Sequence, residues 1–368
     1  MKLRRRRVPE PSSPGEGRNI NEDMGILEGE ASEQAVPAQR GRREGAVPYE
    51  VYPTTPGSDD QTYFDRPVLK EPVWIWAVPA YFYTGGAAGA AAVLGAAAQL
   101  IDRQELDGLI TRARRIAAVG TAMGTILLII DLGRPERFLN MLRVFRPSSP
   151  LSVGSWILAP SSVLAAGAAV LPGSAGDAAG LGAGALGGPL ATYTGVLLTN
   201  TAVPVWQAPH RSIPPLFGAS AVTGAASLLD LLDLNEREQR LVWHFGVAGK
   251  AAELAAAMVV EKEAAKVERV ANPLKQGLAG AMWKAAKAAT AGSLLAQLVP
   301  VGPKKVRRRI SGVLGTAGSI LTRFALWHAG KVSARDPLAT FEMQRAGRGA
   351  KLATGRAAVV GPKDERGA

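Results

Sequence analysis

The chain has 368 residues, 47% of them hydrophobic and 20% charged, with a formal net charge of +12 and a mean hydropathy of +0.07. It contains no cysteine, which excludes disulfides, Cys-ligated iron–sulfur clusters and a cysteine nucleophile. The basic residues flank apolar runs, where they set membrane topology, so the charge does not argue for nucleic acid.

Residues 1–72 are polar, rich in Pro, Gly, Glu and Arg, and without apolar periodicity, which predicts a disordered tail. Arg4 to Arg7 resemble the start of a twin-arginine signal, but no apolar stretch follows. Such a basic cluster can also touch anionic lipid. Eight apolar segments come next, at about 73–101, 113–131, 152–172, 178–203, 212–232, 242–261, 277–301 and 308–330. Each is near the ~20 residues that a bilayer requires. The fold class that follows is an all-α integral membrane protein: a bundle of about eight transmembrane helices over 73–330, closed by a polar basic C-terminal tail at 331–368. Trp74, Trp76, Trp156, Trp206, Trp243, Trp283 and Trp327 stand near segment ends, as interfacial aromatic belts do. The Gly-rich stretch from Leu181 to Tyr193 is weakly hydrophobic and needs neighbours to be a helix. Gly312, Gly315 and Gly318 offer a small-residue face for close packing. No internal repeat is evident.

Eight crossings put both tails on one side. The loop charges divide almost evenly and do not orient the bundle. The basic residues flanking it, such as Lys70, Lys331 and Arg335, place both tails in the cytoplasm.

Polar groups inside a bilayer are costly and are functional candidates by default. Tyr81, Tyr83 and Thr84 lie in the first segment, and Tyr193, Thr194, Thr199 and Asn200 in the fourth. His244, Lys250 and Glu253 lie along the sixth. Lys250 and Glu253 are spaced i, i+3 and can pair on one helix face. That group is either part of a proton path, with Glu253 and His244 as its titrating members, or an ion pair that locks helices. Asp230 and Asp233 close the fifth segment as interfacial acids, and Lys284 and Lys287 can snorkel. Arg323, deep in the eighth, wants a partner such as one of these carboxylates. The three histidines, His210, His244 and His328, do not make a convincing haem site, and no metal site is expected.

Between the second and third segments runs Asp131-Leu132-Gly133-Arg134-Pro135-Glu136-Arg137-Phe138-Leu139-Asn140-Met141-Leu142-Arg143. An apolar run that ends on Asp, Gly and Arg-Pro reads as a helix leaving the bilayer. Four charges between Asp131 and Arg137 cannot stay unpaired in hydrocarbon. This loop, continued through Arg146-Pro147-Ser148-Ser149-Pro150 to Trp156, resembles the signature loop of the NrfD/PsrC family, the membrane subunits of polysulfide-reductase-like and formate-dehydrogenase-like complexes. Tyr193-Thr194-Gly195 is similar to a second family element.

The resemblance implies a quinone-interacting membrane anchor of a molybdopterin oxidoreductase complex, in a prokaryotic inner membrane. Such a subunit passes electrons between a partner's iron–sulfur cluster and membrane menaquinone or ubiquinone, and holds no haem, cluster or metal itself. Its implied partners are a 4Fe-4S ferredoxin-like subunit and a molybdopterin catalytic subunit. The implied quinone site lies near the ends of the first and fourth helices, on the side where the iron–sulfur subunit docks. Tyr193 carries it by motif, and Tyr81 and Tyr83 by location. Asp131, Arg134 and Arg137 are the expected docking residues, with Asp131 and Arg134 bracing each other. Two rival classes are a passive anchor without quinone chemistry and a secondary transporter. The latter commonly shows repeated halves, which are not found here.

Overall fold

The computed structural model describes residues 67–133 and 140–346, together with a two-residue antiparallel strand pair in the N-terminal unit, β1 (Ile20–Asn21) and β2 (Ile26–Leu27). The remaining description concerns the second unit. Eight long helices follow in chain order: α1 (Ala77–Asp102), α2 (Asp107–Leu132), α3 (Pro150–Val170), α4 (Gly173–Thr199), α6 (Ile213–Asp230), α7 (Glu236–Ala264), α9 (Gly277–Leu298) and α10 (Lys304–Arg335). Three short ones, α5 (Pro204–Gln207), α8 (Glu268–Lys275) and α11 (Pro337–Arg345), lie between or after them.

All eight apolar segments are helices. Four of them, α1 to α4, are long and apolar enough to cross a membrane. The other half carries more charge: α7 opens on Glu236, Arg237 and Glu238, and α10 on a run of lysines and arginines. The helix predicted to end near 330 continues to Arg335, and α11 follows it, so the first part of the expected C-terminal tail is helical.

Local chemistry sets the boundaries. Gly133 ends α2 with φ +68°, the left-handed conformation that a glycine adopts without strain. Ser149 caps α3 ahead of Pro150 at its first turn. Asn235 and Glu238 form a reciprocal capping box on α7, with bonds of 2.8 and 2.9 Å.

Small residues let the backbones meet. At Gly89 of α1 and Gly187 of α4, a Cβ on either residue would strike the carbonyl oxygen of the other. This close seat explains how the Gly-rich stretch of α4 remains helical. On α10, Gly312, Gly315 and Gly318 form the expected packing face against Ser227 of α6 and Ser293 and Thr290 of α9.

The bundle has two unlike ends. At the near end Glu71, before α1, binds Arg335 at the close of α10 (2.7 Å). Trp74 stacks on Trp206 at 5.8 Å between ring centroids. At the far end Asp102 meets Arg237 (3.1 Å), and Asp177 takes Arg103 (2.6 Å) and Arg114 (2.8 Å). Two tryptophans depart from the belt expected of them. Trp206 and Trp283 are 0% and 1% exposed, with their indole N–H groups bonded to Leu326 O (2.7 Å) and Glu261 Oε1 (2.5 Å). A ring that donates to a fixed acceptor tolerates the core.

Because the chain enters α1 and leaves α10 at one end, the number of crossings is even, and eight long helices satisfy that. Reporter fusions placed after Arg345 and within residues 173–177 should therefore report opposite sides of the membrane. Finding both on one side would reject an eight-crossing arrangement.

Candidate functional site

Tyr81 lies in the second turn of α1 and Tyr193 in the last two turns of α4, both toward the near end. From the contact of Gly89 with Gly187 the two helices run out to these rings, which fill the space between them. Their centroids are 6.4 Å apart with planes tilted by 55°. The Tyr81 ring also packs on Gly124 of α2, and the Tyr193 ring on Gly154 of α3, where any Cβ would run into it. The pair thus sits where all four membrane-crossing candidates meet. Tyr81 is 2% exposed and Tyr193 9%. The Tyr81 hydroxyl is buried with no hydrogen-bond partner among the described residues, and so is that of Thr194. Buried donors are normally satisfied, so an unpartnered phenol is available to an acceptor oxygen of a ligand.

Tyr83 does not join this pair. Two residues turn a helix by about 200°, and its ring lies instead against Gly224 of α6. Thr199 and Asn200 return their polar groups to Val196 O of their own helix.

The second polar group lies among α6, α7 and α10. Arg323 is fully buried. Its guanidinium donates to Phe82 O of α1 (3.1 Å), Phe217 O of α6 (3.1 Å) and Ser319 O of α10 (3.1 Å), and to the Ser220 hydroxyl. It lies 5.2 Å from the centroid of the Phe217 ring. No carboxylate is within salt-bridge distance of it among the described residues, so the expected acidic partner is replaced by neutral oxygens. Lys250 and Glu253 do not pair with each other either. Lys250 reaches across to Asp230 of α6 (3.8 Å) and donates to Ser311 of α10 (3.0 Å). Gln297 of α9 donates to the same Asp230 oxygen (2.7 Å). Asp230, expected at the interface, is 3% exposed. Glu253 accepts from Thr322 (3.1 Å), and its other oxygen has no partner among the described residues.

His244 stands apart from Glu253. It is exposed on α7 toward the far end, edge-on to Trp243 at 4.8 Å. His328 lies toward the near end of α10, so these two histidines cannot share a ligand. Lys287 is bonded to Glu261, while Asp233 is the exposed acid expected of it, 3.7 Å from Lys305.

In the loop after α2, Arg134 and Arg137 lie outside the described residues, and with them the expected brace to Asp131. Asp131 Oδ1 accepts the backbone N–H of Ile75 at 3.1 Å, which ties the end of α2 to the start of α1. Among the described residues no group of three or more His, Cys, Asp or Glu side chains could hold a metal ion.

Residues 67–171 match the family described as Polysulphide reductase, NrfD. That segment is similar to the NrfD family. It covers α1 to α3 and the loop from Asp131, and with them Tyr81, Tyr83, Asp131, Arg134 and Arg137. Tyr193, His244 and Glu253 lie beyond it. No curated protein matches the chain. With its NrfD-like segment and its long helices, the second unit is an all-helical membrane bundle among the described residues, of a kind consistent with the membrane anchor of an oxidoreductase complex.

Sequence reasoning missed the acceptors of Arg323 and the Asp230 partner of Lys250. Both are contacts between helices far apart in sequence, and no spacing within one helix announces them.

The Arg323 fork yields a direct prediction. Lys at this position keeps the charge, but a single ammonium cannot reach acceptors on three helices. Arg323→Lys should destabilise the protein by about 2–3 kcal/mol through lost charged hydrogen bonds. Thermal unfolding of the detergent-solubilised full chain measures this, and an unchanged midpoint would show that the fork is not needed.

Proposed function

We propose that this protein is the quinone-interacting membrane subunit of a molybdopterin and iron–sulfur oxidoreductase complex, with its tails in the cytoplasm of a prokaryotic cell. The observation that carries this reading is the Tyr81–Tyr193 pair: two phenols in contact between α1 and α4, one with a buried and unpartnered hydroxyl. A quinone accepts two electrons and two protons and presents two carbonyl oxygens. Tyr193 and Tyr81 offer donors to one such oxygen, and such bonds strengthen as negative charge develops on the acceptor. The apolar flanks of α1 to α4 receive the isoprenoid tail. Glu253, with one carboxyl oxygen unpartnered, is the group assigned to proton exchange, and His244 has no part in it.

The near end is assigned to the partner subunits. It carries the loop after Gly133 and the short helices α5, α8 and α11, whereas two far-end connections are as short as 103–106 and 171–172. Loops on a rigid scaffold are the usual place for such recognition. A 4Fe-4S ferredoxin-like subunit docked there would bring its cluster toward the tyrosine pair. A passive anchor accounts for the loops but leaves the Tyr81 hydroxyl without a purpose.

Tyr193→Phe keeps the ring and removes only the donor. The lost bond is worth about 0.5–1.5 kcal/mol, and more where charge develops, which corresponds to a roughly 2- to 12-fold loss. Quinone-linked turnover of the assembled complex should fall by at least that factor. Assembly and electron transfer to a soluble dye should stay unchanged. Wild-type quinone turnover in the variant would make Tyr193 a packing residue and favour the passive anchor.

A further inference from the structure

Away from the tyrosine pair, a groove of about 400 Å³ opens at the near end between α7, α8 and α9. Its floor is apolar, built from Ala271 and Leu274. Lys262, Lys275 and Lys284 line it from three different helices, and all three are exposed. None of the three has an ion-pair partner among the described residues. A fourth lysine, Lys287, is bonded to Glu261, the one acid in the lining, and Trp283 donates to the same Glu261 oxygen. Glu261 is thus engaged elsewhere, and the three remaining charges face the groove uncompensated.

Three ammonium groups that converge on one cavity repel each other, which costs free energy unless an anion is held between them. The surroundings define the anion. Met258 of α7, in the lining of the groove, is 61% exposed and presents apolar surface at its edge. An inorganic anion gains nothing from such surface, whereas an amphiphile with a charged head and hydrocarbon chains uses both parts. Basic pockets between membrane helices, at the level of the helix ends, suit anionic headgroups. The position agrees: the groove forms where α7 ends, α8 runs and α9 begins.

We propose that this groove is a binding site for an anionic phospholipid, its phosphate held by Lys262, Lys275 and Lys284 and its chains lying along Met258. The inference needs only that the protein resides in a membrane and does not depend on the quinone reading.

Native mass spectrometry of the detergent-solubilised full chain tests it, by titration with phosphatidylglycerol and with phosphatidylcholine. Phosphatidylglycerol should bind in preference. Each lysine near an anionic headgroup is worth about five-fold in affinity. Lys275→Gln should therefore weaken phosphatidylglycerol binding about five-fold, and the triple variant K262Q/K275Q/K284Q about a hundred-fold. The far-end variant K304Q/K305Q, which also removes surface charge, should bind as the wild type does. Equal binding of the two lipids would overturn the proposal, as would equal losses in the groove and far-end variants. Displacement of phosphatidylglycerol by inorganic phosphate would assign the site to a free anion instead of a lipid.

Discussion

The guanidinium of Arg323 is fully buried and forms no salt bridge among the described residues, and the arrangement of the helices depends on how that charge is satisfied. A buried arginine cannot lose its proton, so its cost is met by oriented dipoles or not at all. Here the dipoles are carbonyl groups of α1, α6 and α10, with Ser220 completing the set. Each acceptor is fixed in its own helix. Satisfying all of them at once sets the spacing and rotation of the three helices, and a shift of one by about an ångström would break a bond. Arg323 therefore works as a strut between the apolar half, α1 to α4, and the more polar half that follows.

The two halves are held by different physics. In α1 to α4 the contacts are made by glycine and alanine, which let backbones approach so that dispersion forces act over many atoms. Gly89 and Gly187 mark the closest point. In α6, α7, α9 and α10 the same small residues recur, but they flank buried polar pairs. Lys250 lies between Asp230 and Ser311, and Ser293 donates to Ser311 O at 2.7 Å. Buried pairs of this kind contribute little net stability, yet losing one partner costs several kcal/mol. They therefore fix register more than they add strength.

This contrast explains how much could be read from the sequence. The eight helices were legible because an apolar run flanked by charge carries its own boundaries. The stop at Gly133 after Leu132 was equally readable, since capping is local. Partner choice was not. Lys250 has Glu253 three residues away on its own helix, yet its ammonium goes to Asp230, twenty positions earlier on another helix. The i, i+3 rule describes an isolated helix surface, and a side chain facing a neighbouring helix answers to what that neighbour presents. Likewise Tyr81 and Tyr83 were grouped by proximity along the chain, although helical rotation separates them onto different faces. Of the candidate site, the resemblance put Tyr81 and Tyr193 near the ends of the first and fourth helices, while the contact of their rings and the isolation of His244 were not visible without the fold.

One contact links the end of α2 to the helix that carries Tyr81. Asp131 accepts the N–H of Ile75, just before α1 begins, where an amide has no partner within the helix. Ile75 precedes Tyr81 by less than two turns, and Trp74 beside it stacks on Trp206, whose indole is bonded to Leu326 of α10. The start of α1 is thus pinned from the end of α2 on one side and from α10 on the other, and Arg323 grips the same helix at Phe82, the residue after Tyr81. A partner that moved the end of α2 would act on Tyr81 through a helix held at three points. Such a helix passes on a small displacement as a rigid body and does not absorb it by bending. The end of α2 and the tyrosine pair are thus joined through the first turns of α1, although they are separate features in the sequence.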